Sequence, residues 1–208
     1  MFNDILKTIL VIIISYVLGS LSFALILSNI IHGQDIRNYG SKNAGATNMM
    51  RTYGFKIAFF TILGDMLKGI LSVSIGNYIG GQTLGYLAGL FCILGHIYPI
   101  FYGFKGGKGV ATGAAVALMT NSSIFFIMFV VFIACILLTK YVSLSSCVTA
   151  CFFPILTFYN KIPTINNITS EILIIICTFI MSSLIIWKHS QNIKRLINKT
   201  EPQISFKR

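Results

Sequence analysis

Three polar stretches interrupt an otherwise apolar chain. The first runs Asp35-Ile-Arg-Asn-Tyr-Gly-Ser-Lys-Asn-Ala-Gly-Ala-Thr-Asn-Met-Met-Arg51. Small, hydroxyl and amide residues crowd it: Gly40, Ser41, Asn43, Gly45, Ala46, Thr47 and Asn48. Small side chains leave backbone N–H groups open, and a nest of such groups binds anions. A helix starting near Gly45 would place Thr47 and Arg51 on one face, four residues apart. Arg can then clamp a phosphate or carboxylate through two hydrogen bonds. The plain alternative is a capping loop with a membrane-anchoring Arg. Such a loop would not need so many small polar residues in a row.

The second stretch is Gly95-His96-Ile-Tyr-Pro99 followed by Gly103-Phe-Lys-Gly-Gly-Lys-Gly-Val-Ala-Thr112. Gly106, Gly107 and Gly109 beside Lys105 and Lys108 suit close approach of backbone to a phosphate. A short helix after them would aim its positive end at the same anion. The Walker A pattern needs Gly, four residues, then Gly-Lys-Ser/Thr. Here Gly109 follows Lys108 and Tyr stands at position 102, so a nucleotide hydrolase is disfavoured. The third stretch is Trp187-Lys-His189-Ser-Gln-Asn192-Ile-Lys-Arg195. On a continuing helix His189 and Asn192 face the same way, and Trp187 fits an interfacial anchor.

Other chemistry is not signalled. There is no nucleophile elbow, no HEXXH and no pair of carboxylates. The His-x4-Asp pair of many glycerolipid acyltransferases is missing, since Arg37, Phe101 and Lys194 stand five residues after His32, His96 and His189. His189 is the one plausible base by its ordinary pKa. Cys92, Cys135, Cys147, Cys151 and Cys177 sit in apolar runs without a CxxC pair, so they read as small buried hydrophobes.

The elements that carry these stretches follow from composition. The 208 residues are 55% apolar and only 10% charged. Soluble domains carry about 25% charged residues, so a soluble globular protein is excluded, and a disordered one is too apolar-poor to match. An all-α, polytopic integral membrane protein remains. The first apolar run, Ile5 to Ile31, is too long for a cleaved signal peptide and reads as one retained helix. Further spans are expected at Phe55–Gly76, Thr83–Phe101, Val110–Thr120, Ile124–Thr139, Val142–Tyr159 with Pro154 inside it, and Glu171–Trp187. Asp65 and Lys68, three residues apart within the second span, are expected to pair or to support a polar site.

The net charge of +11 orients this set. With seven crossings and the N-terminus outside, all Lys and Arg except Lys7, Lys68 and Lys161 fall on the cytoplasmic side. Positive residues prefer that side. With six crossings the bias would weaken. The chain is expected to be one membrane domain, residues 1–208, with its C-terminus cytoplasmic.

Two functions compete for that architecture. One is an enzyme handling phosphate-bearing substrates at the inner face, where Arg51, Lys105, Lys108 and His189 gather. The other is a transporter for a small organic phosphate or other anion. A transporter predicts polar residues continuing to the opposite face. The polar material is one-sided, which favours the enzyme.

The same residues resemble a known family. Gly19-Ser20 with Phe23, Asp35-Ile-Arg37, Gly40-Ser-Lys-Asn-Ala-Gly-Ala-Thr-Asn48 with Arg51, Gly95-His96 to Pro99, Phe104-Lys-Gly-Gly-Lys-Gly-Val-Ala-Thr112, and His189 with Asn192 to Arg195 are similar to the bacterial acyl-phosphate-dependent glycerol-3-phosphate acyltransferases. The resemblance covers essentially the whole chain. It implies seven membrane helices in the bacterial inner membrane, with the site on the cytoplasmic face. It implies transfer of a fatty acyl group from acyl phosphate to the 1-hydroxyl of glycerol 3-phosphate, the first step of phospholipid synthesis. It places Ser41, Arg51, Lys108, His189 and Asn192 at the site. Gly40, Asn43, Gly45, Thr47, Asn48, Lys105, Gly106, Gly107 and Gly109 would bind substrate phosphates. It implies no metal or other cofactor, membrane lipid and the two substrates as partners, no nucleic acid, and a chain able to act as a monomer. Three departures stand out. Gly-Ser-Leu-Ser replaces the usual Gly-Ser-Ile-Pro at position 19, Lys42 stands where Gly is common, and Ser190 where a basic residue is common.

Overall fold

A computed structural model describes residues 2–160 and 168–204; Lys161, Lys207 and Arg208, counted above, lie outside the described residues. The chain forms two compact units, residues 1–120 and 121–208. Regular structure among the described residues is helical, as backbone in hydrocarbon requires, because each N–H and C=O is then satisfied within its own segment.

The first unit opens with α1 (Phe2–Gly19) and α2 (Phe23–His32). The single helix expected over Ile5–Ile31 is therefore broken at Gly19–Ser22, although no proline stands there. Close packing at this level has identifiable contacts. A Cβ on Gly19 would collide with the Cys92 carbonyl, and one on Gly95 with the Tyr16 carbonyl. Two backbones therefore touch across glycines, as small residues permit in membrane helix pairs. The carbonyls released at the break are not stranded. Lys68 Nζ, which is 49 residues further on than Gly19, donates to Gly19 O at 2.9 Å and to Leu21 O at 2.7 Å.

A short helix, α3 (Ala46–Tyr53), starts at Gly45 as the first polar stretch suggested. It leads into α4 (Phe55–Ile97), 43 residues. A straight helix of that length would run about 65 Å, roughly twice the hydrocarbon core. It folds back instead at Gly80 and Gly81, where the backbone leaves helical values and Gly81 takes φ +75°. The two arms then lie against each other. A Cβ on Gly76 would meet the Leu84 carbonyl, and one on Gly85 the Asn77 side chain. These arms coincide in sequence with the two apolar runs expected at Phe55–Gly76 and Thr83–Phe101. The unit closes with α5 (Val110–Thr120), whose bounds match the expected short helix.

The second unit holds α6 (Ser122–Thr139), α7 (Val142–Asn160), α8 (Ile168–Lys188) and α9 (Ser190–Ile197). The Asn121 side chain caps α6 by accepting the Ile124 N–H at 3.1 Å. Pro154 lies inside α7. The tail packs back on this unit, with Ile204 N–H donating to the Lys140 carbonyl at 2.9 Å.

By length and apolarity, five described stretches can cross a membrane: Phe2–His32, Phe55–Tyr102, Ser122–Thr139, Val142–Asn160 and Ile168–Lys188. Their exposed side chains are large and apolar, among them Phe126, Val130, Leu137 and Phe179. Lipid is the solvent that suits such faces.

Candidate active site

The loop before α3 is built by two side chains. Asp35 caps the 3-10 turn Ile36–Asn38 by accepting the Arg37 N–H at 2.9 Å. The Arg37 guanidinium folds back on the same carboxylate, with Nη2 to Oδ2 at 2.7 Å. Hydrogen bonds from Arg37 hold the Asp35 carboxyl below its ordinary value of 3.8. The other arm of the fork reaches across the unit. Arg37 Nη1 donates to the Tyr102 carbonyl at 2.8 Å and to the Lys105 carbonyl at 3.1 Å. One side chain thus ties the first polar stretch to the glycine-lysine loop.

Asn48 organises the rest. It is 1% exposed. Its Nδ2 donates to the carbonyls of Ile36, Tyr39 and Asn43 at 3.2, 3.0 and 3.0 Å, and its Oδ1 accepts the Ser41 N–H at 2.8 Å. The side chain expected to bind substrate is therefore engaged within its own loop. Gly40 at φ +55° sits over that amide, and a Cβ there would strike Asn48 Oδ1. Lys42 holds φ +57°, a left-handed backbone that glycine adopts without steric cost. Ile36, Ala44 and Met49 anchor the loop in a buried cluster with Ala24, Leu25 and Ala58. Ser41 is left exposed on the loop, Asn43, Gly45 and Thr47 are half-buried, and Arg51 is exposed in the last turn of α3.

The glycine-lysine loop differs from the sequence expectation in one respect. Gly106 N–H donates to the Ile97 carbonyl at 3.2 Å, and Gly107 N–H to the His96 carbonyl at 3.1 Å. These two amides face the end of α4 rather than standing open to an anion. Glycine is needed here for close packing. A Cβ on Gly106 would strike the His96 carbonyl, and one on Gly107 the His96 ring and, at 2.7 Å, the Ala44 carbonyl. Gly109, at φ +83°, turns the chain into α5. Lys105 is exposed and Lys108 half-buried. The first unit thus brings both loops to one end, with Ala44 against Gly107 and Arg37 spanning them.

In the second unit His189 stands at the joint between α8 and α9 with φ −94° and ψ 5°. His189 Nδ1 lies 2.8 Å from the Ile185 carbonyl. A carbonyl only accepts, so Nδ1 carries a proton, and in the neutral form of the ring Nε2 would be the acceptor. The expected continuing helix is therefore bent at His189 itself. Asn192 Nδ2 donates to Glu201 Oε1 at 2.7 Å. Glu201 also accepts from Ser143 Oγ at 2.8 Å and from Arg195 Nε at 2.7 Å. Burial alone would raise the Glu201 carboxyl; the hydrogen bonds from Asn192, Arg195 and Ser143 outweigh it and hold it below 4.5.

Sequence reasoning missed three participants. Arg37 and His96 lay inside the quoted stretches, but their roles depend on groups further along the chain, the Tyr102 and Lys105 carbonyls for Arg37 and the Gly107 backbone for His96. Glu201 is one of only five acidic residues. Its isolation in a basic tail was the available signal.

The fold is that of a multi-pass membrane protein whose first unit brings two polar loops together at one end. A family profile described as glycerol-3-phosphate acyltransferase matches residues 9–199. "Glycerol-3-phosphate acyltransferase 3" of Bacillus anthracis is 42% identical over 199 residues, covering 96% of each chain. The glycerol-3-phosphate acyltransferase of Bacillus subtilis (strain 168) is 41% identical over 197 residues, covering 95% of this chain and 97% of the relative. Crystal structures of PlsY (YgiH), an integral membrane glycerol 3-phosphate acyltransferase, are also similar. Its glycerol 3-phosphate form gives a TM-score of 0.83 at 34% identity, over 95% of this chain and 96% of that one. Its lysophosphatidic acid form gives 0.84 at 30% identity, over 95% of both. The chain belongs to the glycerol-3-phosphate acyltransferase family and is a membrane acyltransferase. The transporter alternative gains no support from these relatives.

Proposed function

We propose that this chain, residues 1–208 acting as one domain, transfers a fatty acyl group from acyl phosphate to the 1-hydroxyl of glycerol 3-phosphate. Lysophosphatidic acid and inorganic phosphate are the products, the first step of phospholipid synthesis. The observation that carries this reading is the end-to-end similarity to a protein crystallised in glycerol 3-phosphate and lysophosphatidic acid forms.

In this reading Arg51 and Lys108 stabilise phosphate charge. Ser41 and the Gly40–Asn48 turn, with Asn43, Gly45 and Thr47, orient the acyl phosphate carbonyl. Lys105 and the loop Gly106, Gly107, Gly109 shape the phosphate cradle. His189, through its Nε2 lone pair, accepts a hydrogen bond from the glycerol hydroxyl, and Asn192 keeps the α9 joint in place through Glu201. The hydroxyl oxygen attacks the acyl carbon, the bond from that carbon to the phosphate oxygen breaks, and the proton leaves on the phosphate. The donor is already activated, so alignment can supply about 7–11 kcal/mol in favourable cases.

Seven crossings fit this reading: α1 with α2, the two arms of α4, then α5, α6, α7 and α8. The N-terminus is then outside, and both polar loops and the tail face the cytoplasm across the bacterial inner membrane. The acting unit is the monomer.

Purified protein in detergent or nanodiscs, given palmitoyl phosphate and glycerol 3-phosphate, should release phosphate and form lysophosphatidic acid. No release would end the reading. Turnover with acyl-coenzyme A instead would reassign the donor. Arg51→Ala and Lys108→Ala should each abolish most turnover, and unchanged kcat and KM would remove that residue from the site.

A further inference from the structure

Behind the two loops lies a buried charge network. Asp65, Lys68 and His96 are 2%, 2% and 4% exposed. Lys68 Nζ is 3.0 Å from Asp65 Oδ1 and 2.9 Å from His96 Nδ1. Two of its three protons already go to the Gly19 and Leu21 carbonyls. The third is left for the imidazole nitrogen, because Asp65 Oδ1 meets the ammonium as an ion pair without a hydrogen bond. Asp65 Oδ1 is 3.5 Å from His96 Nδ1, too long for a good hydrogen bond of its own.

An ammonium donates and cannot accept. Nδ1 of His96 must therefore be the acceptor at the Lys68 contact. With one cation and one anion already balanced in an apolar interior, a neutral ring avoids a further buried charge. The His96 proton then sits on Nε2. That nitrogen is the atom a Gly107 Cβ would strike, beside the Ala44 carbonyl. The network thus ends where the two polar loops touch. It also anchors the start of α5, since Thr112 Oγ1 donates to the Asp65 carbonyl at 3.3 Å.

We propose that Asp65, Lys68 and His96 form a positioning relay, in which Lys68 fixes His96 as the Nε2–H tautomer beneath Gly107 and so sets the pose of the glycine-lysine loop. The inference rests on the phosphate role proposed for that loop. None of the three touches substrate in this proposal. They act through backbone, and the same ammonium that seals the break between α1 and α2 orients the ring.

The experiment pairs function with a direct reading of the ring. Lys68→Met alone strands the Asp65 carboxylate and should lower thermal stability. Asp65→Asn with Lys68→Met removes both charges together, and replacing a buried pair is often tolerated. The double variant should regain much of the stability. Its kcat/KM should stay at least about tenfold below wild type, because a slightly displaced loop is costly to catalysis. The loss should lie mainly in KM for a phosphate-bearing substrate. Wild-type kcat/KM in a stable double variant would overturn the relay. If the double variant does not fold, nitrogen NMR of histidine-labelled wild-type protein decides alone. The relay requires Nδ1 unprotonated and Nε2 protonated at His96; the opposite tautomer or an imidazolium would overturn it. That spectrum needs no turnover, so failure of the relay is separable from failure of the acyl phosphate reading.

Discussion

Asn48 Oδ1 accepts the backbone N–H of Ser41 at 2.8 Å, seven residues back along the chain. The exposed tip of the polar loop therefore hangs from a residue buried in the first turn of α3. The amide works from both ends, since its nitrogen faces three carbonyls. An acid at this position would aim lone pairs at all three of them. Asn48→Asp is expected to destabilise the first unit by about 1–3 kcal/mol, the cost of leaving buried polar groups unmatched. Thermal denaturation in nanodiscs measures it, and an unchanged midpoint would show that the loop holds without this amide.

Lys42 gives a prediction of the opposite sign. Its left-handed backbone strains an L side chain by about 1–2 kcal/mol, part of which glycine gives back through greater freedom when unfolded. Lys42→Gly should raise stability by up to about 1 kcal/mol. A lower denaturation midpoint would mean that the lysine side chain makes a stronger contact than its backbone costs.

Arg37 tests geometry against charge. Lysine keeps the positive charge but lacks the planar fork. Arg37→Lys can still pair with Asp35 but cannot also hold the Tyr102 and Lys105 carbonyls. Hydrogen exchange over residues 100–109 should quicken, and KM should rise more than kcat falls. Unaltered exchange there would break the proposed link between the loops.

Glu201 carries a pH dependence. Its folded-state pKa lies below 4.5. Its contribution is therefore fully present above about pH 4.5 and fades as pH falls through the lower folded-state value. Protease cleavage of the tail should accelerate on acidification in wild type. Glu201→Gln should cleave fast already at neutral pH and lose most of that pH dependence. Equal cleavage of both proteins at pH 7 would contradict the clamp.

What the sequence made legible was local. Runs of apolar residues located α5 and α7 to within a residue or so, because hydropathy is set by the segment itself. The Gly45 start of α3 was readable for the same reason. The break at Gly19–Ser22 was not, because the group that satisfies its carbonyls is Lys68, on another helix. The fold-back of α4 was implied by two separate spans, while its tight glycine packing was not. At the site, the residue types were legible and their assignments were not. Asn48, Gly106 and Gly107 looked like anion binders by composition, yet their polar groups are engaged by Ser41, Ile97 and His96 partners that only the fold brings near. Asn192 looked like a substrate contact, and its amide meets Glu201, a residue outside every stretch singled out for chemistry.

The brevity of α5 has its consequence inside the protein. Eleven residues rise about 16 Å, roughly half the hydrocarbon thickness. None of them is exposed, and both arms of α4 cover them, with Gly69 against Ala115 and Gly89 against Val116. The glycine-lysine loop enters α5 directly, so the footing of that loop is protein rather than lipid. A bulkier side chain at Gly69 or Gly89 would push α5 aside and move the loop with it, without touching either reactant.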